Sequence, residues 1–324
     1  TVTNGSIVTS TTLSGGSTTG FTSTCSGNTN ITGNNIGGIT ANSSTNLIST
    51  SVIGMYMTAG RNMVTNNTIG SISSADNIIN SLNTSATAGL VNGIWSTSAH
   101  TSSFTGNTIS NLTSQYSGAA TTAQVRGITT TSGLNTISQN IISNLKTSAP
   151  NASVDLNASV IGISHSSTTV GLAQNISNNI ISNLSNITPT AAVNLTGIYF
   201  TGSATTFNHT ISRNKISNIG STSSGLAVIS GMNILGGTST YSNNMIALGL
   251  DNLGAPYVNG HEYNGIKKNG AVANNFYFNS VNITGANVVA GVAGNTAAFR
   301  RTATGVDNVK NNIFANTRSN STGT

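Results

Sequence analysis

Apolar residues recur along this chain in blocks of about 35 residues, and each block carries two marks. The first mark is a glycine between apolar residues, as in Val160, Gly162 and Ile163. The intervals between successive glycines of this kind are 39, 34, 35, 35, 34 and 34 residues. The glycines are Gly54, Gly93, Gly127, Gly162, Gly197, Gly231 and Gly265. So steady an interval indicates an internal structural repeat.

The second mark places an asparagine at a fixed offset from apolar residues. An apolar residue is followed by asparagine three residues later, by an apolar residue after five, and usually by another after eight. Six units share this register, with asparagines at Asn34, Asn67, Asn107, Asn140, Asn179 and Asn214. The pattern then loosens near Asn244, blurs around Asn275 and Tyr277, and returns at Asn312.

These offsets fit neither a long helix face nor one uninterrupted strand, and they predict short strands broken by turns. Asparagine suits such a turn because it tolerates the left-handed conformation and bonds to its own backbone. The glycine of the first mark is expected at a bend or bulge where no Cβ is tolerated. Each block therefore predicts one coil of about three short strands.

A single coil cannot bury its apolar residues, but coils stacked in register can. Each strand then pairs in parallel with its equivalent in the next coil, about 4.8 Å away. The asparagines of the second mark, Asn312 included, are expected to form a ladder along the axis. We predict an all-β parallel solenoid of about 8–9 coils, as a single domain over residues 1–324. Regular coils are expected over about 28–248 and irregular or decorated coils over about 249–324.

Composition and charge limit the classes of partner that this chain is expected to bind. The 324 residues carry a net charge of +6 but only 5% are charged, so no basic arm for nucleic acid is present. No apolar run is long enough to insert into a membrane. The single cysteine, Cys25, cannot form an internal disulfide and is expected to be a small buried residue. No cysteine or histidine spacing predicts a metal site, and nothing predicts a cofactor.

Units such as GISHSSTTVGLAQNISNNIISNL and GIYFTGSATTFNHTISRNKISNI resemble the repeats of pectate-lyase-like right-handed parallel β-helices. The resemblance covers about residues 28–318 and implies a right-handed solenoid. The Ser/Thr/Asn-rich style and the stretch NNIFANTRSNSTGT are similar to large Bacteroidetes surface proteins secreted by the type IX secretion system. The sorting domain expected of that group is absent from this sequence, which predicts that the chain is a segment of a longer protein.

Many right-handed β-helices act on polysaccharides, so the acidic residues need to be considered. Hydrolysis of a glycosidic bond uses two carboxylates on either side of it. The chain contains Asp76, Asp155, Asp251, Glu262 and Asp307. The repeat places the first two in loops about two coils apart, whereas Asp251 and Glu262 lie in the segment expected to be irregular.

The best single constellation is His261, Glu262 and Tyr263, followed by Lys267 and Lys268, with the histidine as base and the glutamate orienting it. Asp251, His261 and Glu262 are the candidate catalytic residues. We favour instead a solvated loop in which Tyr263 packs into the coil, because adjacent strand residues point to opposite faces. The remaining histidines, His100, His165 and His209, have no metal-ligand spacing and are expected at the surface.

The sequence thus predicts a secreted, extracellular structural or adhesive segment, a stiff spacer with polar edge loops and no enzymatic activity. Its expected partners are glycans or other surface and secretion proteins. Two alternatives remain open: a polysaccharide lyase or hydrolase, and a type IX secretion cargo captured with its export machinery.

Overall fold

A computed structural model of the chain describes residues 2–3, 6–12, 16–42, 50–70, 78–83, 89–116, 122–171, 173–205, 208–287 and 294–320. The described residues form an all-β parallel solenoid of about eight turns of about 34 residues each. The fold class predicted from the sequence is confirmed. The one helical element among them is a short 3-10 turn at Asp155–Asn157.

The coils contribute strands to three sheets, which we call sheets A, B and C in the order in which a coil passes through them. Most coils supply one strand to each sheet, and one coil supplies both Thr68–Ile69 and Ile78–Asn83 to sheet B. Sheet A comprises Val2–Thr3, Asn28–Thr32, Arg61–Thr65, Ser102–Thr105, Asn135–Ser138, Asn175–Ser177, His209–Ser212, Ser239–Ser242, Asn275–Tyr277 and Asn308–Lys310. Its short strands end at the corner that leads into sheet B.

Sheet B follows this corner directly. It comprises Ser6–Thr12, Asn35–Asn42, Thr68–Ile69, Ile78–Asn83, Thr108–Tyr116, Ile141–Thr147, Ile180–Asn186, Lys215–Ser221, Met245–Leu248, Ser280–Ile283 and Ile313–Asn316.

Sheet C closes each coil. It comprises Gly16–Ser23, Thr50–Met57, Leu90–Ser96, Gln124–Thr130, Val160–His165, Asn194–Thr201, Val228–Gly236, Glu262–Lys268 and Thr296–Arg301. A separate pair of short strands, Ala286–Asn287 and Ser319–Asn320, pairs outside the three sheets.

Strand pairing is parallel and keeps equivalent residues of the repeat opposite one another. Ile142, Ile181 and Ile216 pair in successive strands of sheet B, and all three are fully buried. Side chains of the same kind therefore form continuous stacks along the axis. The stacked isoleucine, valine and leucine side chains make up one hydrophobic core inside the coils.

The stack continues through the segment for which irregular coils were expected. Tyr241 pairs with Phe276, and Phe276 pairs with Val309, in the same register as earlier coils. The repeat is hard to recognise in the sequence at this point because its unit begins one residue later than expected, at Phe276 and not at Asn275. The additional residues form a loop at 249–260, closed by an antiparallel bridge between Leu250 and Pro256.

The repeated glycines lie where sheets B and C approach each other inside the coil. A Cβ on Gly162 would lie 2.6 Å from Cγ2 of Ile181 and 2.6 Å from the carbonyl oxygen of Gly197. None of the seven predicted glycines has a positive φ, so their role is to leave space for the isoleucine stack. The stack begins one coil earlier than predicted, at Gly20, and Ala298 takes its place after Gly265.

The turn at the corner between sheets A and B uses a different residue from the one expected. The left-handed conformation belongs to the residue before each ladder asparagine, such as Gln139 (φ 58°) before Asn140 and Arg213 (φ 55°) before Asn214. The ladder asparagines themselves have no positive φ. The expectation that they adopt the left-handed conformation was therefore wrong, because their side chains are needed inside the corner.

Candidate functional site

The three residues proposed as a catalytic group have separate structural roles. Asp251 closes its own loop, where its Oδ1 accepts the backbone N–H groups of Leu253 at 2.9 Å and Ala255 at 2.8 Å. Glu262 forms an ion pair with Arg300 and accepts a hydrogen bond of 2.8 Å from Asn264. The structure shows no hydrogen bond between Asp251 and Glu262.

His261 is buried and holds backbone groups of a neighbouring coil. Its Nδ1 accepts the N–H of Ala227 at 3.2 Å, and its Nε2 lies 3.0 Å from the carbonyl oxygen of Ser221. Burial lowers the pKa of His261. Tyr263 packs fully inside the coil, with the guanidinium of Arg318 4.6 Å from the centre of its ring.

The other described carboxylates also form ion pairs or hydrogen bonds within the protein. Asp307 forms ion pairs with Lys268 at 2.6 Å and Arg301 at 3.1 Å. Asp155 accepts a hydrogen bond of 2.9 Å from Asn233. Asp76 lies outside the described residues. Among the residues that the structure describes, no three histidine, cysteine or acidic side chains are placed to hold a metal ion.

Two of the histidines expected at the surface are fully buried, and only His100 is exposed. His165 occupies the stack position taken by Phe200 in the next coil, and the two rings lie 5.1 Å apart. Its Nδ1 is 2.7 Å from the hydroxyl of Thr130, and burial lowers its pKa to about 3. Nδ1 of His209 accepts the N–H of Gln174 at 3.0 Å.

Cys25, by contrast, was expected to be buried and is exposed. It follows the end of the sheet C strand Gly16–Ser23, in the turn before sheet A, and so does not occupy a core position.

The asparagine ladder fills the corner between sheets A and B without a break. The side-chain oxygen of Asn179 accepts both the backbone N–H of Asn140 at 3.0 Å and its Nδ2 at 2.9 Å. Nδ2 of Asn179 then donates to Ile137 in the preceding coil and to Asn214 in the following one, both at 2.9 Å. Each such amide therefore links three coils.

Among the residues that the structure describes, the ladder contains nine asparagines in consecutive coils. They are Asn34, Asn67, Asn107, Asn140, Asn179, Asn214, Asn244, Asn279 and Asn312. Asn244 and Asn279 bridge the region where the pattern looked weak, so the ladder joins the predicted group of six to Asn312.

A second stack of asparagines lies on the outer face of sheet B. Asn111, Asn144, Asn183 and Asn218 have φ values of 56–57° and interrupt their strands just before the buried residue at offset eight. Nδ2 of Asn183 donates to Oδ1 of Asn144 at 3.1 Å, and Nδ2 of Asn218 donates to Oδ1 of Asn183 at 3.3 Å. This stack, which we call the outer amide row, also repeats in the sequence, but the two marks of the repeat do not predict it.

The outer amide row lines a groove of about 270 Å³. Its lining residues are Asn111, Thr113, Asn144, Lys146, Asn183, Leu184, Ser185, Asn218, Asn252 and Tyr257. Lys146 is the only charged residue among them. The groove therefore presents mainly amide and hydroxyl groups, each able to donate or accept hydrogen bonds.

One side of the outer amide row is bordered by hydroxyl and apolar side chains. Ser143, Ser182 and Ser217 form a row that pairs from coil to coil. Beyond it, Ile141 and Ile180 pair in adjacent strands and are 44% and 43% exposed. Large apolar side chains thus face outward next to polar rows that the backbone holds in place.

Tyr257 closes one end of the groove. Its ring covers Gly220, and a Cβ at that position would overlap the ring. Arg318 fixes the loop from beneath, since its guanidinium donates to the carbonyl oxygens of Tyr257 at 2.6 Å and Asn259 at 2.9 Å. Burial, with a smaller contribution from Asp251, raises the pKa of Tyr257. The tyrosine therefore forms a fixed, uncharged end wall.

No protein-family model matches the chain, and no curated protein matches it. Among the described residues, no helix is both long enough and apolar enough to cross a membrane.

Proposed function

We propose that this chain is a structural and adhesive segment of a secreted cell-surface protein, in which a stiff solenoid displays polar surfaces to glycans. The buried asparagine ladder carries the structural half of this proposal. Because each interior amide bonds to the coils on both sides of it, a coil cannot leave the stack without breaking hydrogen bonds in two neighbours. A buried polar group left without a partner costs about 1–3 kcal/mol.

The adhesive half rests on the outer surface of the coils. The protein contains 5% charged residues, so long-range electrostatic attraction contributes little to its contacts. Short-range hydrogen bonds and apolar contacts remain, and sugars offer partners for both. The outer amide row and its serine and isoleucine borders supply these groups on one face.

The secreted setting belongs to the same proposal. It is supported by the likeness of the repeats to pectate-lyase-like β-helices and of their composition to type IX secreted Bacteroidetes proteins. An antibody against the chain should label intact producing cells, and the labelling should disappear when the type IX machinery is deleted. Labelling that persists in the deletion strain would contradict this route.

Single-molecule stretching tests the spacer role. We expect the protein to resist extension and then lengthen in steps of about one coil, roughly 34 residues, as ladder bonds break. Smooth extension at low force would contradict the spacer role.

Retention of the protein on immobilised polysaccharides tests the adhesive role. Failure to bind any member of a broad panel would contradict it.

A further inference from the structure

We propose that the groove along the outer amide row binds a single extended chain of a neutral glycan, laid parallel to the solenoid axis. This inference rests on the proposed adhesive function and assigns it a site and a class of ligand. It depends on three features on or beside sheet B: a periodic row of amides, a neighbouring row with apolar side chains, and an end closed by Tyr257.

The amides are spaced by the coils themselves. Asn111, Asn144, Asn183 and Asn218 occupy four successive coils, so the row extends for about 14 Å at the usual spacing of paired strands. A sugar ring in an extended glycan is similar in length to one coil interval. Neighbouring rings can therefore meet equivalent amides.

The conformation of these residues holds the amides in place before any ligand binds. Asn144 and Asn183 are in the left-handed conformation within strands that are paired on both sides. Hydrogen bonds between successive amides fix their orientation further, at 3.1 Å for Asn183 to Asn144. Little side-chain freedom remains to be lost on binding, which favours affinity.

The rows next to the groove match the two faces of a sugar. Ile141 and Ile180 are not part of the groove lining, but they lie three residues before Asn144 and Asn183 and offer apolar contact for the C–H face of a pyranose ring. The serine row between them and the amides offers hydroxyl groups. Tyr257 stands across the end of the row above Gly220, where its ring can contact the terminal sugar.

The charge of the lining favours a neutral chain over an acidic one. Lys146 is the single cation among ten lining residues, and none of them is acidic. Four amides in a row suit uncharged hydroxyl or acetamido groups, which donate and accept hydrogen bonds as the amides do. Binding of such a chain should depend little on ionic strength.

The test measures binding of cellohexaose and chitohexaose to the whole chain by calorimetry, with hexagalacturonate as the acidic comparison. The variant Asn144→Gly/Asn183→Gly removes two amides and retains a residue that tolerates positive φ. We expect it to weaken binding of the neutral probe about tenfold or more, as loss of two hydrogen bonds implies. Tyr257→Ala should weaken it to a similar extent.

Asn178→Gly/Asn243→Gly is the matched control. Asn178 and Asn243 are exposed and have φ values of 57° and 56°, but they lie at the corner between sheets A and B, outside the groove. This control should bind like the wild type, and thermal unfolding of both double variants should show that the fold is kept.

The possible results separate a failure of the groove from a failure of the adhesive role. Glycan binding that is equal in the groove variant, the control and the wild type would overturn the groove while leaving the adhesive role. Tighter binding of hexagalacturonate that is lost in 0.5 M salt would overturn the neutral class of ligand. No binding of any probe or of the immobilised panel would overturn both the groove and the adhesive role, and the stretching experiment would still test the spacer.

Discussion

Two stacks of asparagine run along this solenoid, one inside the corner between sheets A and B and one on the outer face of sheet B. Asn179 and Asn183 belong to the same coil and are four residues apart, yet their surroundings differ. Asn179 is fully buried, and its side chain makes hydrogen bonds in both neighbouring coils. Asn183 is partly exposed and has a left-handed backbone.

One residue type at one repeat interval therefore has two different roles in this solenoid. In the inner ladder the side chain is fully used within the protein, and its amide has no capacity left for a ligand. In the outer amide row the backbone conformation selects asparagine, and much of the amide faces the groove. A repeat interval alone therefore identifies stacked asparagines without separating structural ones from ligand-binding ones.

The largest effect is expected from Asn179→Ala. This change removes four side-chain hydrogen bonds, among them the one that the buried backbone N–H of Asn140 donates to the Asn179 side chain. Unfolding by denaturant should show a loss of about 4 kcal/mol or complete failure to fold. Asn178→Gly, at the adjacent exposed residue, is the control and should cost below about 1 kcal/mol.

Gly162→Ala tests how tightly sheets B and C approach each other inside the coil. The added Cβ would lie 2.6 Å from both Ile181 and the backbone of Gly197, so one of the sheets must move. We expect a loss of about 2–3 kcal/mol in the free energy of unfolding. Part of this loss should be recovered when Gly162→Ala is measured in an Ile181→Ala background, which lacks the contacting Cγ2. No recovery would mean that the backbone contact, and not the isoleucine, sets the spacing.

Much of the fold was predictable from these same residues. The glycine and asparagine marks were sufficient to predict parallel stacked coils, because stacking is the way such a coil buries its apolar residues. The conformation of the corner was predictable only in part. Glycine or asparagine, which favour the left-handed conformation, precedes six of the nine ladder asparagines, but Gln139, Arg213 and Phe278 are unusual residues for it. Stacking constrains them through paired strands on either side.

The candidate site was harder to predict than the fold. The outer asparagines appear in the sequence one residue before the apolar residue at offset eight, but polar residues are frequent throughout this chain. Tyr257 reaches the groove only because its loop folds back over Gly220. His165 and His209 were assigned to the surface because a polar side chain at a core position has no distinguishing signal without its hydrogen-bond partners.

Acid should destabilise the protein through its buried histidines, whereas neither asparagine stack titrates. The pKa of His165 is about 3 in the folded state and about 6.5 when unfolded, so the unfolded chain binds the proton more readily. The stability that neutral His165 contributes is present above pH 6.5 and is lost as the pH falls towards 3. Between pH 7 and pH 5 the free energy of unfolding should fall by about 2 kcal/mol from this group.

His165→Phe is the matched variant for this prediction. Phenylalanine already occupies the equivalent stack position at Phe200, so the ring should be accommodated. Denaturant unfolding at several pH values should show a shallower dependence in the variant than in the wild type. The remaining dependence should come from His209 and His261, whose pKa values are also lowered by burial. If the free energy of unfolding depends on pH equally in the variant and the wild type, His165 is not a source of the acid sensitivity.

The smallest effect on stability is expected from Asn183→Gly. It removes two hydrogen bonds at the surface, to Asn144 and from Asn218, and retains the left-handed backbone. We expect a change of below about 1 kcal/mol in the free energy of unfolding. A loss comparable to that of Asn179→Ala would show that the outer amide row is a second structural ladder.

The most direct test of the difference between the two stacks is NMR of the asparagine side-chain amides, recorded with selective labelling and with added cellohexaose or chitohexaose. We predict that the amides of Asn140, Asn179 and Asn214 exchange slowly with solvent and do not shift. Those of Asn144 and Asn183 should exchange rapidly when free, and should shift and become protected when a neutral glycan binds. Slow exchange in both stacks, with no shift in the outer amide row, would contradict the assignment of the inner ladder to structure and of the outer amide row to binding.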